Sequence, residues 1–488
     1  MSRYNPSPKS RGATIVIAAH DTPPVAKKNA DFICSGSNDQ VIINQAVNIL
    51  RNLSGDIDVP GSREITYKNQ GGTILLLSGG FHISGAIDLS GVNDITLAGV
   101  GPATVIKNEA TNGANAIQAI NTGNSKNRVI VRDLMVVGNP LSGDGIYLRE
   151  CTYREVLNVF SISNGGCGLR FVADTESGGA DNNIVTNSQF LFNKLDGFRI
   201  EGRDVHETLV SQCHFEENYR YNISTNYSIN LHISNCSIED CYGEYEIYLE
   251  NQGQLQIDNC VIEGSVSIKA WDAAEYIALI SNCDINGEVK YEKAPTYGGG
   301  LRVSNSRLVL RTVDASRLHL SNCSTQIAKQ IDGTAGYIKV SNQMTVTGGE
   351  MVQNTLDSFE IEATATNARI IFTGVSLHNF KPTIKADPVL TLTRLQMGNC
   401  HFRTCNFNVD GIQIVSIQGG EMTGSASMSF SNIAEILHFG GVILHKGGGG
   451  LTITVNETCT GKIAFIKNVI SQTVNIVDRT GTAIIDNV

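Results

Sequence analysis

The sequence predicts an all-β chain wound as a parallel β-helix, and three observations carry that prediction. A triplet of the form Ser/Asp-Asn-Cys returns at near-constant spacing, short alternating strands flank each copy, and turn-forming residues abound. The 488 residues include 49 glycines and 44 asparagines against 10 prolines, a composition of many tight turns and few helices.

The triplets are Ser211-Gln212-Cys213, Ser234-Asn235-Cys236, Asp258-Asn259-Cys260, Ser281-Asn282-Cys283, Ser304-Asn305-Ser306 and Ser321-Asn322-Cys323, in steps of 23, 24, 23, 23 and 17. Each follows an alternating strand such as Leu231-His232-Ile233 or Leu318-His319-Leu320. One register therefore recurs per coil, and a coil of short strands buries its apolar face only by stacking on its neighbours. In that arrangement the asparagine takes a sharp turn and hydrogen-bonds its copies in adjacent rungs, while the cysteine points inward as a small hydrophobe. Thiolates standing one per rung do not converge on a tetrahedral metal. Free buried thiols are expected, with no metal site and no cofactor.

Upstream, Asn127 to Val131, Gly145 to Leu148, Gly168 to Phe171 and Gly197 to Ile200 fit successive rungs. Downstream, Ile338 to Val340, Phe359 to Ile361, Ile370 to Phe372, Leu390 to Leu392 and Ile412 to Ile417 continue with weaker regularity. The ends need caps. Ser37-Asn38-Asp39-Gln40 reads as a capping box before an amphipathic helix with Val41, Ile42, Ala46, Ile49 and Leu50 on its apolar face, followed by a fully buried strand from Gly71 to Leu77. Past the glycine run Gly447 to Gly450, four short strands (Leu451 to Val455, Lys462 to Ile466, Thr473 to Val477, Ala483 to Ile485) form a terminal β unit. The expected division is thus residues 1–90 as strand and helix cap, 91–446 as β-helix, and 447–488 as a cap or oligomerisation unit.

Charge and hydropathy exclude several functions. With 37 basic and 47 acidic side chains the net charge is -10, and no long basic stretch offers a phosphate-backbone footprint, so no nucleic-acid partner is expected. No apolar run approaches the roughly 18 residues that span a bilayer, so no membrane insertion is expected. The apolar run Ala13 to Ala19 is too short for a signal-peptide core, so no classical signal peptide is expected.

The stretches Ala13-Thr14-Ile15-Val16-Ile17-Ala18-Ala19, Ala30 to Cys34 leading to Asn38-Asp39-Gln40, Gly72-Thr73-Ile74-Leu75-Leu76, Gly80-Phe81-His82-Ile83 and Leu97-Ala98-Gly99-Val100-Gly101 resemble the opening of pectate-lyase-like right-handed β-helix proteins, bacteriophage tailspikes among them. The resemblance covers about the first hundred residues by motif and the remainder by periodicity. It implies a single-stranded right-handed parallel β-helix, a homotrimer, and a place on a virion tail or extracellular surface.

Alternation turns Ile146, Leu169, Phe198, Ile223 and Ile247 inward, so Tyr147, Arg170, Arg199, Ser224 and Tyr248 form an outward column, and two residues on Arg149, Val172, Glu201, Asn226 and Glu250 form another. Aromatic faces stack on sugar rings, and guanidinium and carboxylate groups bond hydroxyls or uronates, so the expected substrate-binding residues are Tyr147, Arg149, Arg170, Arg199, Tyr248 and Glu250 and the expected partner is a polysaccharide or cell-surface glycan. Hydrolysis needs two carboxylates about 5 to 9.5 Å apart, which Glu201 with Asp174 or Asp204 offers. A lyase or C5-epimerase needs a base and a cation beside the substrate carboxylate, for which His206 and the pair Arg170 and Arg199 are candidates. The plainer reading of each is a solvated charge on a β-helix face, and Asp144-Gly145 and Asp196-Gly197 read as turns. The sequence thus points to a tailspike-like or surface-displayed protein that binds a polysaccharide, with depolymerisation as the open extension of that expectation. The alternatives are a stand-alone lyase, hydrolase or uronate epimerase and a non-catalytic adhesive β-helix.

Overall fold

The computed structural model describes residues 13–52, 56–57, 67–68, 71–121, 128–173, 181–203, 205–272, 276–296, 298–327, 336–353, 359–387, 389–423, 426–444, 451–460, 462–466, 469–470, 474–478 and 484–486. They fall into two units, Met1–Leu255 and Gln256–Val488, and in each the strands of the coils pair in parallel with those one coil away, while Asp56–Ile57 and Tyr67–Lys68 form a separate antiparallel pair in the first.

In the first unit every full coil contributes a strand to each of three ladders. The first ladder stacks Ile117–Ile120, Ile146–Arg149, Leu169–Val172, Phe198–Glu201, the start of Ile223–Ser234, and Ile247–Gln252. The second runs from Ala13–Ala18 through Gly72–Leu76 and Ile95–Ala98 to Asn183–Thr186 and His206–Ser211. The third includes Gln189–Leu191, His214–Glu216 and Ser237–Glu239. Ile146, Leu169, Phe198, Ile223 and Ile247 are fully buried, as the alternation requires. In the third ladder Phe190 stacks on Phe215 at 5.2 Å, so the interior repeats by residue size as well as by polarity.

The helix appears at Gln40–Asn52, but its buried face is Ile43, Ala46, Val47 and Leu50, whereas Val41 and Ile49 face solvent. The capping box does not form. Asp39 precedes the helix fully buried, and its carboxylate accepts the Gly36 and His82 backbone N–H groups, both at 2.9 Å. Gln40 reaches across to Ser84 instead of back to Ser37, so contact with the first rungs decides the cap geometry. The strand Gly72–Leu76 is not buried on both faces either; Ile74 and Leu76 point inward while Thr73 and Leu75 are half-buried.

In the second unit the asparagine ladder takes the predicted form. Asn259, Asn282, Asn305 and Asn322 all have left-handed backbone, with φ between 48° and 54°, a conformation asparagine tolerates better than most side chains. Asn305 donates to the Asn282 side-chain oxygen at 3.3 Å and Asn322 to that of Asn305 at 3.5 Å. The short step of 17 has a structural cause: Arg307–Ser321 is one unbroken 15-residue strand that begins against Asp284–Glu292 and ends against Gly300–Ser304, so this coil dispenses with its turns. Leu451–Val455 and Lys462–Ile466 pair in parallel with Ala426–Ser431 and Ile436–Gly440. The glycine run 447–450 lies outside the described residues.

The twelve cysteines are all in the thiol form, and all but Cys241 are buried. Burial pushes the thiols of Cys34 and Cys241 up to about 12 and that of Cys405 up to about 11. Since the thiolate is the reactive form, a maleimide at pH 8 is expected to leave the native chain almost unlabelled and to modify all twelve positions in guanidinium. Fast native labelling of several thiols would contradict the inward column.

Candidate functional site

The site grows from the register of the first ladder in the first unit. Gln118, Tyr147, Arg170, Arg199, Ser224 and Tyr248 are consecutive partners across the rungs, as are Ile120, Arg149, Val172, Glu201, Asn226 and Glu250. Adjacent rungs lie about 4.8 Å apart, so outward side chains of successive rungs touch. Two members depart from the outward reading: Val172 is buried, and Ser224 is buried with its hydroxyl donating to Asp196 at 2.7 Å.

Glu201 sits at the centre. Arg170 donates to it through Nε at 2.9 Å and through Nη2, and Arg199 pairs with its other oxygen. Each guanidinium also faces a second carboxylate: Arg170 Nη1 lies 3.6 Å from Asp144, and Arg199 Nη1 lies 3.5 Å from Asp196. Arg220 closes the series by gripping Asp196 with Nε at 2.7 Å and with Nη2. The order Asp144, Arg170, Glu201, Arg199, Asp196, Arg220 therefore alternates three carboxylates with three guanidiniums, and the strip is neutral when all are ionised.

Asp144 and Asp196, read as turn residues from the sequence, are 6% and 0% exposed. Both precede the glycine that opens a first-ladder strand, where the intervening rung carries Cys167, so they sit two rungs apart on one line. Burial raises the Asp144 carboxyl above its ordinary range, the Cys167 N–H at 2.6 Å and Arg170 oppose this, and the Glu201 charge adds to it. Burial likewise pushes Asp196 up against the Arg220 fork and the Ser224 hydroxyl. Cys167 between them is held far above the thiol range by burial and by both aspartates. The available signal was the repeated Asp-Gly-Ile/Phe-Tyr/Arg pattern, in which the aspartate recurs at one strand position.

Tyrosines flank the strip. Tyr221 and Tyr248 stack with centroids 4.9 Å apart and 13° between planes, Tyr245 lies 5.9 Å from Tyr248, and the Arg170 guanidinium sits 5.6 Å from the Tyr147 ring. The structure thus brings together Tyr147, Arg170, Arg199, Glu201 and Tyr248 of the expected residues and adds Asp144, Asp196, Arg220 and Tyr221. Arg149 and Glu250 keep their places in the second column. His206 belongs to the second ladder, where its partner is Ile229, rather than to the strand of Glu201. Asp174 and Asp204 lie outside the described residues.

Stacked parallel coils with one turn register per coil define a parallel β-helix. Residues 95–285 match the family model described as Right handed beta helix region. No curated protein matches the sequence. Among solved structures the chain is similar to ORF18 of Geobacillus virus E2, with 14% identity, a TM-score of 0.28 and 81% of this chain covered against 62% of that one. It is also similar to a mutant DFA-IIIase from Arthrobacter chlorophenolicus (11% identity, TM-score 0.33, 95% and 98% covered) and to tailspike protein 3 of bacteriophage CBA120 (13%, 0.32, 90% and 61%). The chain thus spans less than two thirds of the viral protein and of the tailspike.

Proposed function

We propose that the first ladder of the first unit binds a polysaccharide, and that the protein is tailspike-like or surface-displayed. The observation that carries this is the outward column in which Tyr147 and Tyr248 bracket Arg170 and Arg199, with carboxylates on either side. Tyrosine faces stack on the apolar faces of sugar rings, and a charged strip that is already internally paired offers hydroxyl groups many donors and acceptors without demanding a counter-charge. Arg170, Arg199 and Arg220 are each engaged by carboxylates, which favours a neutral, hydroxyl-rich glycan over a polyuronate and hydrolysis over β-elimination. The resemblance of its opening segments supports a position on a virion tail or extracellular surface and assembly as a homotrimer.

A second reading, that the bound glycan is also hydrolysed, is favoured by Asp144. It is a buried carboxyl with raised proton affinity, sharing Arg170 with Glu201, and glycoside hydrolysis needs one carboxyl held as an acid near a second that acts as base or nucleophile. Incubation with a panel of neutral and acidic polysaccharides tests both readings, with binding, reducing ends and the absorbance of unsaturated uronates followed together. Binding with new reducing ends and no new absorbance is expected. Binding alone would leave an adhesin, new absorbance would indicate a lyase, and no binding across the panel would remove the glycan reading.

A further inference from the structure

We propose that His214, Glu216 and Glu239, on the third ladder of the first unit, form a binding site for a divalent transition-metal ion, and that zinc fits it best. The inference is independent of the glycan reading, because these residues stand on a different ladder from the arginine and carboxylate strip.

Strand alternation builds the site. In His214–Glu216 the middle residue Phe215 is buried, so His214 and Glu216 both project outward, and in Ser237–Glu239 the buried Ile238 sends Ser237 and Glu239 outward in the same way. The two strands are register partners, which places Glu216 directly beside Glu239 and His214 beside Ser237. His214 Nε2 then lies 2.7 Å from a Glu239 oxygen and 3.6 Å from a Glu216 oxygen, and the three ligand atoms all fall within 4.8 Å of one another. Bonds of about 2.0 to 2.2 Å in a tetrahedron separate ligand atoms by roughly 3.3 Å. Modest rotation of two half-exposed glutamate side chains reaches that spacing.

Charge makes the same case. Two carboxylates in register on adjacent parallel strands repel each other, and the residues that follow them, Glu217 and Asp240, add two more acids at left-handed turn positions. Among the described residues no lysine or arginine pairs with any of the four, and Glu217 accepts only the Tyr242 hydroxyl, at 3.1 Å. One imidazole thus faces two carboxylates, with two further acids at the turns that follow. An imidazole nitrogen with two carboxylate oxygens and open solvent positions suits zinc better than calcium or magnesium, which favour all-oxygen shells. The sequence signal is a His-x-Glu strand with a glutamate one coil later at the same position.

The test uses the full chain stripped with a chelator. Calorimetric titration with zinc chloride is expected to give one ion per chain, with His214→Ala and Glu239→Gln each weakening binding at least tenfold, and calcium chloride is expected to give no comparable heat. Cobalt(II) should give visible absorption bands in the parent chain that His214→Ala abolishes. The thermal midpoint of each metal-free variant is expected to match that of the metal-free parent, since the replaced side chains lie on the surface. No zinc binding, or binding unchanged in both variants as it would be if cysteine thiolates held the ion, overturns the proposal.

Discussion

Asp144→Asn is expected to lower glycan hydrolysis by about 10²- to 10⁴-fold, the usual effect of losing a general acid, while leaving glycan affinity within a few-fold of the parent. The amide keeps the shape of the carboxyl and an acceptor for the Cys167 N–H but has no proton to give. Stability should not fall. Burial raises the Asp144 carboxyl, so its ionised form costs stability at pH values above its folded titration, and that cost fades as pH falls toward the unfolded value near 3.9. The amide removes the cost, so the variant's melting temperature at neutral pH should equal or exceed that of the parent. Hydrolysis by the parent should decline as pH rises through the raised Asp144 titration. An Asp144→Asn protein with full turnover would eliminate Asp144 as the acid.

Asn193→Leu should be the most destabilising single change in the first unit's turns. Asn164, Asn193 and Asn218 form a fully buried ladder in which the side-chain oxygens of Asn193 and Asn218 each accept both the backbone N–H and the amide of the preceding copy: at 3.1 and 2.8 Å onto Asn193, and at 3.1 and 2.9 Å onto Asn218. The ladder continues from Asn218 through Asn222 to Glu246. Leucine at 193 leaves the buried Asn164 backbone N–H without an acceptor and its amide with only the Ser161 hydroxyl, at about 1 to 3 kcal/mol for each lost bond, so a loss of roughly 2 to 6 kcal/mol is expected in denaturant titration. Asn305→Gly is the matched control. Glycine keeps the left-handed backbone, and the change removes only an exposed amide pair, so a shift within about 0.5 kcal/mol is expected. Equal effects of the two substitutions would mean that the buried ladder carries no special weight.

The contrast between the two asparagine ladders shows what was legible in the sequence. The outer one announces itself because its asparagine is followed by a small residue, cysteine after Asn282 and Asn322 and serine after Asn305, in a recurring triplet, so these three could be placed before any coordinates. The inner one, at steps of 29 and 25, sits in turns of varying length with no companion residue, and only the stacked backbone aligns it. The first-ladder columns were readable for the same reason as the outer ladder: strands have period two, and the register follows from the buried residue of each rung. Val172 broke the pattern where an apolar side chain occupies an otherwise outward position.

What escaped was burial at the strand entrances. Asp-Gly reads as a solvated turn, and nothing local says that Asp144 and Asp196 are covered by the neighbouring coils and answered by Arg170 and Arg220 from other rungs, with Arg199 joining from three residues further along its own. Arg154 escaped similarly. It lies wholly inside, with Nη2 donating to the Val172 carbonyl at 2.7 Å and its guanidinium 5.0 Å from the Phe171 ring, and burial depresses its proton affinity. Such pairings belong to the stack and not to the strand.

Hydrogen–deuterium exchange on the full chain, with and without an oligosaccharide that it binds, tests the central claim most directly. The account predicts slowed exchange in peptides covering 144–149, 167–172, 196–201, 219–226 and 245–250, with little change in the second and third ladders of the same coils. Protection confined to other ladders, or to the second unit, would contradict it and move the glycan site elsewhere on the β-helix.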